Sequence, residues 1–122
     1  MNYLRCIQNK AYIQFGDEPV RDEPLVSLTL GYIYKALPPT VDEQRLGEVR
    51  VIDNEGEDYL YPVDYFETLL FNGEKEATET ATVHLDPITK GILRAEAIAA
   101  KTSVSALLRA WIDERLDLPV AQ

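Results

Sequence analysis

Few residues in this 122-residue chain have the chemistry of a catalyst. Cys6 is the single cysteine and His84 the single histidine. A thiolate nucleophile needs an activating base, and the sequence assigns none to Cys6, which reads as a small buried hydrophobe. One histidine without a partner does not make a metal site or a proton relay. The carboxylates Asp53, Glu55, Glu57 and Asp58 crowd one short stretch. Such a cluster can suggest a metal or a glycosidase pair, but turns are commonly acidic and solvated, and that is the expectation here. Neither a glycine-rich phosphate loop nor a nucleophile triad is present. No catalytic residue, metal or cofactor is therefore expected. The side chains left with recognition chemistry are Thr80, Thr82 and His84, spaced by two, and these belong to one face of a strand.

The elements that must position them come from patterning. Ala81, Val83 and Leu85 alternate with Thr80, Thr82 and His84, which predicts a half-buried strand over 80–85. Asp86 offers a helix N-cap and Pro87 suits the first helical position. Ile88, Ile92, Ala95 and Ala99 follow at helical spacing. Ser103 caps a second helix that carries Val104, Leu107, Leu108, Trp111, Ile112 and Leu116 on one face, with Pro119 marking its end. A lone strand has no ladder partner, and so small a unit cannot bury that stripe alone. A second copy solves both problems: two strands form an antiparallel ribbon, and the second helices pack across a two-fold axis.

This order and spacing, with Ser103 eighteen positions after Leu85, resembles the Arc and methionine repressor superfamily of ribbon-helix-helix proteins. The resemblance implies a dimer whose core includes Val83, Leu85, Leu107, Leu108, Trp111 and Ile112. It also implies that Thr80, Thr82 and His84 face bases in the major groove of double-stranded DNA. A phosphate would meet the start of the second helix at Ser103 and Val104, with Lys101 adding charge. Family members often carry a glycine between the helices; Ala100-Lys101-Thr102 has none, so the turn must form without it.

Upstream the pattern is different. Tyr3 to Ile7, Ala11 to Phe15, Leu25 to Leu30 and Tyr32 to Leu37 read as short strands, with Val26, Leu28 and Leu30 on one face. Glu48 to Ile52 and Asp58 to Tyr61 flank a turn over residues 53–57, where Asn54 and Gly56 accept positive φ. The stretch 28–37 resembles the diverging segment of a Src-homology-3-like barrel. Tyr59 to Glu67 is similar to that fold's last hairpin, helical turn and final strand. The Gly-Glu-Asp-Tyr-Leu-Tyr-Pro run at 56–62 is similar to one shared by a widespread, uncharacterised bacterial family. The resemblance implies a protein-interaction surface at Tyr61, Pro62 and Tyr65.

The fold class expected is thus α+β with two small domains. Residues 1–71 form the Src-homology-3-like β-barrel, 72–78 a polar linker, and 79–118 a ribbon-helix-helix that dimerises. Charge divides the same way. The chain carries −9; residues 1–78 hold 7 basic and 15 acidic residues, and residues 79–122 hold 5 and 6. Phosphate repels an acidic surface, so DNA contact is expected only in the near-neutral tail. The lone cysteine, the lack of a signal-peptide pattern and the lack of a long apolar run lead to an expectation of a soluble, cytoplasmic protein without a membrane partner. The function expected is a dimeric DNA-binding transcriptional regulator whose barrel engages a small protein. The alternatives are the antitoxin of a toxin–antitoxin pair and a dimeric interaction protein that does not bind DNA.

Overall fold

A computed structural model describes residues 2–11, 24–69 and 77–118. The chain is α+β; among the described residues five strands form one open antiparallel sheet and three segments form α-helices. It divides into two compact units, Asn2–Leu70 and Phe71–Gln122.

The first unit holds β1 (Tyr3–Cys6), β2 (Ile33–Ala36), α1 (Val41–Arg45), β3 (Glu48–Ile52) and β4 (Asp58–Pro62), then a 3-10 turn over Val63–Tyr65 and β5 (Phe66–Thr68). The sheet order is β4-β3-β2-β1-β5, all neighbours antiparallel. Alternation in β3 turns Val49 and Val51 inward, and the register places them opposite Tyr61 and Tyr59 of β4. The core gathers Cys6, Leu28, Tyr34, Val49, Val51, Tyr61 and Phe66. Phe66 meets the rings of Tyr34 and Tyr61 edge-on, at centroid distances of 6.4 and 6.2 Å, the arrangement that ring quadrupoles favour.

The β3–β4 hairpin forms where expected, but its turn works differently. Gly56 alone takes a positive φ, +78°. Asn54 acts through its side chain instead: its Oδ1 accepts from the Tyr34 hydroxyl at 2.7 Å, and its Nδ2 donates to the Val26 carbonyl and to Thr29 Oγ1. Those bonds hold residues 25–30 as turns and irregular chain, not as the expected strand. Leu28 is 2% exposed while Val26 is 87% exposed, so the apparent alternation does not describe one face. Asp53 is also not solvated. It is buried, with its carboxylate accepting from the Tyr61 hydroxyl at 2.8 Å and the Glu55 amide at 2.9 Å.

Helix α1, absent from the pattern reading, starts at a capping box: Thr40 Oγ1 accepts from the Glu43 amide and Glu43 Oε1 from the Thr40 amide. The strand expected at Ala11 to Phe15 lies outside the described residues beyond Ala11, as does most of the linker and Pro119.

The second unit contains α2 (Pro87–Ala99) and α3 (Val104–Leu116). Asp86 caps α2, accepting from the Thr89 amide at 2.9 Å and the Thr89 hydroxyl at 2.6 Å. Its carboxyl pKa is held below the ordinary value by those Thr89 bonds. The apolar face of α2 that the spacing picks out points outward. Ile88 and Ile92 are exposed, while Leu93 and Ala97 occupy the less accessible side.

Candidate nucleic-acid interface

Residues 77–86 carry no regular secondary structure and are exposed throughout. The strand expected at 80–85 is therefore absent from the single chain, and the cause is elementary: a strand needs a neighbour for its amides and carbonyls. Thr80, Thr82 and His84 are solvent-facing, and so are Ala81, Val83 and Leu85. Residues 81–85 border a cleft of about 500 Å³ closed on the other side by Lys90, Leu93, Val104 and Leu108.

The inter-helix turn brings the proposed phosphate group together. Lys101 sits at φ +56°. Its amide donates to the Ile98 carbonyl and that of Thr102 to the Ala97 carbonyl, both at 3.0 Å. This pair of bonds defines a Schellman ending, which glycine usually serves because its missing Cβ removes the left-handed clash. Here lysine does it. Two residues on, Ser103 Oγ accepts from the Ala106 amide at 3.1 Å and starts α3. Lys101 and Ser103 are exposed and Val104 is half-buried. Lys101 thus lies two residues before the Ser103 cap of α3, whose peptide dipoles favour an anion.

The residues expected to form a dimer core are open in the single chain. Val83, Leu85, Trp111 and Ile112 are exposed, while Leu107 and Leu108 are half-buried.

In the first unit the expected partner surface needs correcting. Tyr61 is buried and its hydroxyl contacts Asp53 and Ser27, so it is a core residue that links the hairpin to the 25–30 segment. Pro62 is half-buried and lines a depression of about 240 Å³ with Leu46, Gly47, Glu48 and Leu60. Tyr65 is half-buried too; its hydroxyl donates to the Lys10 carbonyl at 2.7 Å, and burial pushes the phenol pKa up. Glu43, which pattern reading passed over, is buried beside Arg50, whose guanidinium also reaches Asp58 at 3.1 Å. Its signal in the sequence was the Thr-x-x-Glu capping box at 40–43.

Cys6 is fully buried, its Sγ donating to the Gln8 carbonyl at 3.3 Å, and burial raises its pKa. That disfavours a reactive thiolate at neutral pH. Among the described residues no group of three His, Cys, Asp or Glu side chains is placed to hold a metal ion, and no helix is long and apolar enough to cross a membrane. Comparison with protein-family models, curated proteins and solved structures returned no match.

Proposed function

We propose that the protein is a dimeric, ribbon-helix-helix DNA-binding regulator with an N-terminal Src-homology-3-like interaction domain. One observation carries the reading. An exposed segment without regular secondary structure leads through an Asp86–Pro87 cap into α2, a left-handed turn and α3, leaving Val83, Leu85, Trp111 and Ile112 exposed. Pairing two copies gives the 80–85 segment its missing ladder and covers the apolar side chains. Each such side chain fully buried contributes about 1.5–3 kcal/mol. Thr80, Thr82 and His84 of each copy then form the outer face of the ribbon, with hydroxyls, a methyl group and an imidazole to read base edges. Lys101 and the start of α3 flank it as phosphate contacts. For the first unit, the strand order β4-β3-β2-β1-β5 and the 3-10 turn between β4 and β5 support the Src-homology-3-like reading, with β4 and β5 at the open edges of the sheet and no pairing between them among the described residues. Repression would follow from occupancy of a site that polymerase needs.

The test is fluorescence anisotropy with the gene's own upstream duplex and a scrambled duplex, at two salt concentrations. Preference for the native fragment that weakens with salt, and is lost in Thr82→Asp/His84→Asp, supports the reading. Equal and negligible binding to both duplexes defeats it. A second reading, a dimeric interaction protein that does not bind DNA, is favoured by the net charge of −9 and by the lack of Arg or Lys at positions 80, 82 and 84. The same experiment separates the two.

A further inference from the structure

Thr80, Thr82 and His84 are exposed, and among the described residues none of the three side chains holds a hydrogen bond or an ion pair. Their hydroxyl, methyl and imidazole groups are open to a ligand, but they differ in what they can tell apart. A threonine hydroxyl both donates and accepts, so it suits the major-groove edge of any base pair. An imidazole N–H donates to a purine N7, which adenine and guanine share. Arginine and lysine, which single out guanine, are absent from positions 80, 82 and 84, and so are asparagine and glutamine, which single out adenine. The remaining group is the threonine Cγ2 methyl. Only thymine can match it, because no other base carries a methyl on its major-groove edge.

The shape of the side chain favours the same partner. Branching at Cβ restricts χ1, so the methyl and the hydroxyl are held in fixed relation to the backbone. Threonine is short and touches only what projects toward it, and the thymine C5 methyl projects from the base edge into the groove. Charge adds to the argument. Of Lys101, Ser103 and Val104, the residues assigned to phosphate, only Lys101 is a cation, on a chain of net charge −9. Phosphate neutralisation therefore supplies little affinity, and short-range contacts with the bases must supply more.

We propose that Thr80 and Thr82 select thymine by methyl-to-methyl contact, so that the duplex this protein recognises presents thymines to the ribbon. This rests on the regulator reading above and names the base that its outer face reads.

The experiment is fluorescence anisotropy of the full chain at low salt with the gene's own upstream duplex, made once with thymine and once with uracil in its place, beside the scrambled duplex. Uracil keeps the hydrogen-bonding groups of thymine and lacks only the methyl. The wild type is expected to prefer the native sequence to the scrambled one and to bind its uracil form about tenfold more weakly, since each methyl brought out of water contributes about fourfold and both subunits make the contact. Thr80→Ser/Thr82→Ser deletes the protein methyls and keeps the hydroxyls. With helicity unchanged by circular dichroism, it should bind the thymine and uracil forms alike, at the affinity of the wild type for uracil. No preference for the native sequence overturns the regulator reading and thymine selection together. A preference for the native sequence with equal affinity for its thymine and uracil forms overturns thymine selection and leaves the regulator reading standing. A thymine preference that the serine variant keeps undiminished assigns it to duplex shape and overturns the role of the threonines.

Discussion

Replacing Lys101 with glycine should make the second unit more stable, although it deletes the residue proposed to meet a phosphate. Lys101 holds φ +56° because both closing bonds of α2 require it. A side chain in that left-handed region costs about 1–2 kcal/mol through its Cβ and the following carbonyl. Glycine removes this cost but gives the unfolded chain extra freedom worth about 0.5–1 kcal/mol. The difference is a net stabilisation of about 0.5–1 kcal/mol. Lys101→Ala retains the Cβ and should stay within about 0.5 kcal/mol of wild type, which separates the backbone effect from loss of charge. Urea unfolding followed by circular dichroism, at one fixed protein concentration because association shifts the midpoint, reads this directly. With a slope of about 1 kcal/mol per molar for so small a unit, the glycine variant's midpoint rises by about 0.5–1 M. A midpoint that is unchanged or lower, with the slope preserved, would refute a left-handed Lys101. The same variant should bind duplex DNA more weakly with a shallower salt dependence, since one cation has gone.

Two further outcomes test the rest of the account. Tyr61→Phe removes the hydroxyl that satisfies the buried Asp53 carboxylate and should cost the first unit about 1.5–3 kcal/mol; a loss below about 0.5 kcal/mol in chemical unfolding would mean the bond contributes nothing. The Asp86 cap should fail in acid. Its folded pKa lies below the ordinary 3.8 because Thr89 bonds the carboxylate, so its stabilisation is complete above 3.8 and disappears as pH falls through the lower folded value. The ellipticity of the wild type should drop there more than that of Asp86→Asn, which keeps a cap acceptor without titrating; parallel titration curves would sink the assignment.

What the sequence made legible was local. The β3–β4 hairpin could be read because Val49 and Val51 alternate and Gly56 lies between two strand-like runs. The starts of α2 and α3 were visible in Asp86–Pro87 and Ser103, which satisfy amide donors with their own side chains. The failures were tertiary. Residues 25–30 look like a strand until Asn54, more than twenty positions away, takes up Val26 and Thr29. Asp53 resembles any other acidic turn residue, and only the Tyr61 hydroxyl reveals that it is buried. The same bond removes Tyr61 from the surface, where its neighbours Pro62 and Tyr65 remain half accessible. In α2 the spacing of Ile88, Ile92, Ala95 and Ala99 identified an apolar face correctly but not its direction. A period of 3.6 residues says that residues share a side, and what lies on that side is settled by packing. For the candidate site the sequence offers only side-chain types at positions 80, 82 and 84, all of them exposed with their neighbours, and the turn geometry at Lys101 cannot be read from Ala100-Lys101-Thr102.

Native-state hydrogen exchange at the amides of residues 80–85 decides whether this segment becomes a strand by pairing with a second copy. In a lone chain they are exposed and without regular structure, so they should exchange at the rate of free peptide. The account predicts slowed exchange at alternate positions within 80–85, matching one ladder-facing edge per strand, and loss of that protection on dilution or in Trp111→Glu. Unprotected exchange along the whole segment, at concentrations where the protein is fully folded, would contradict it.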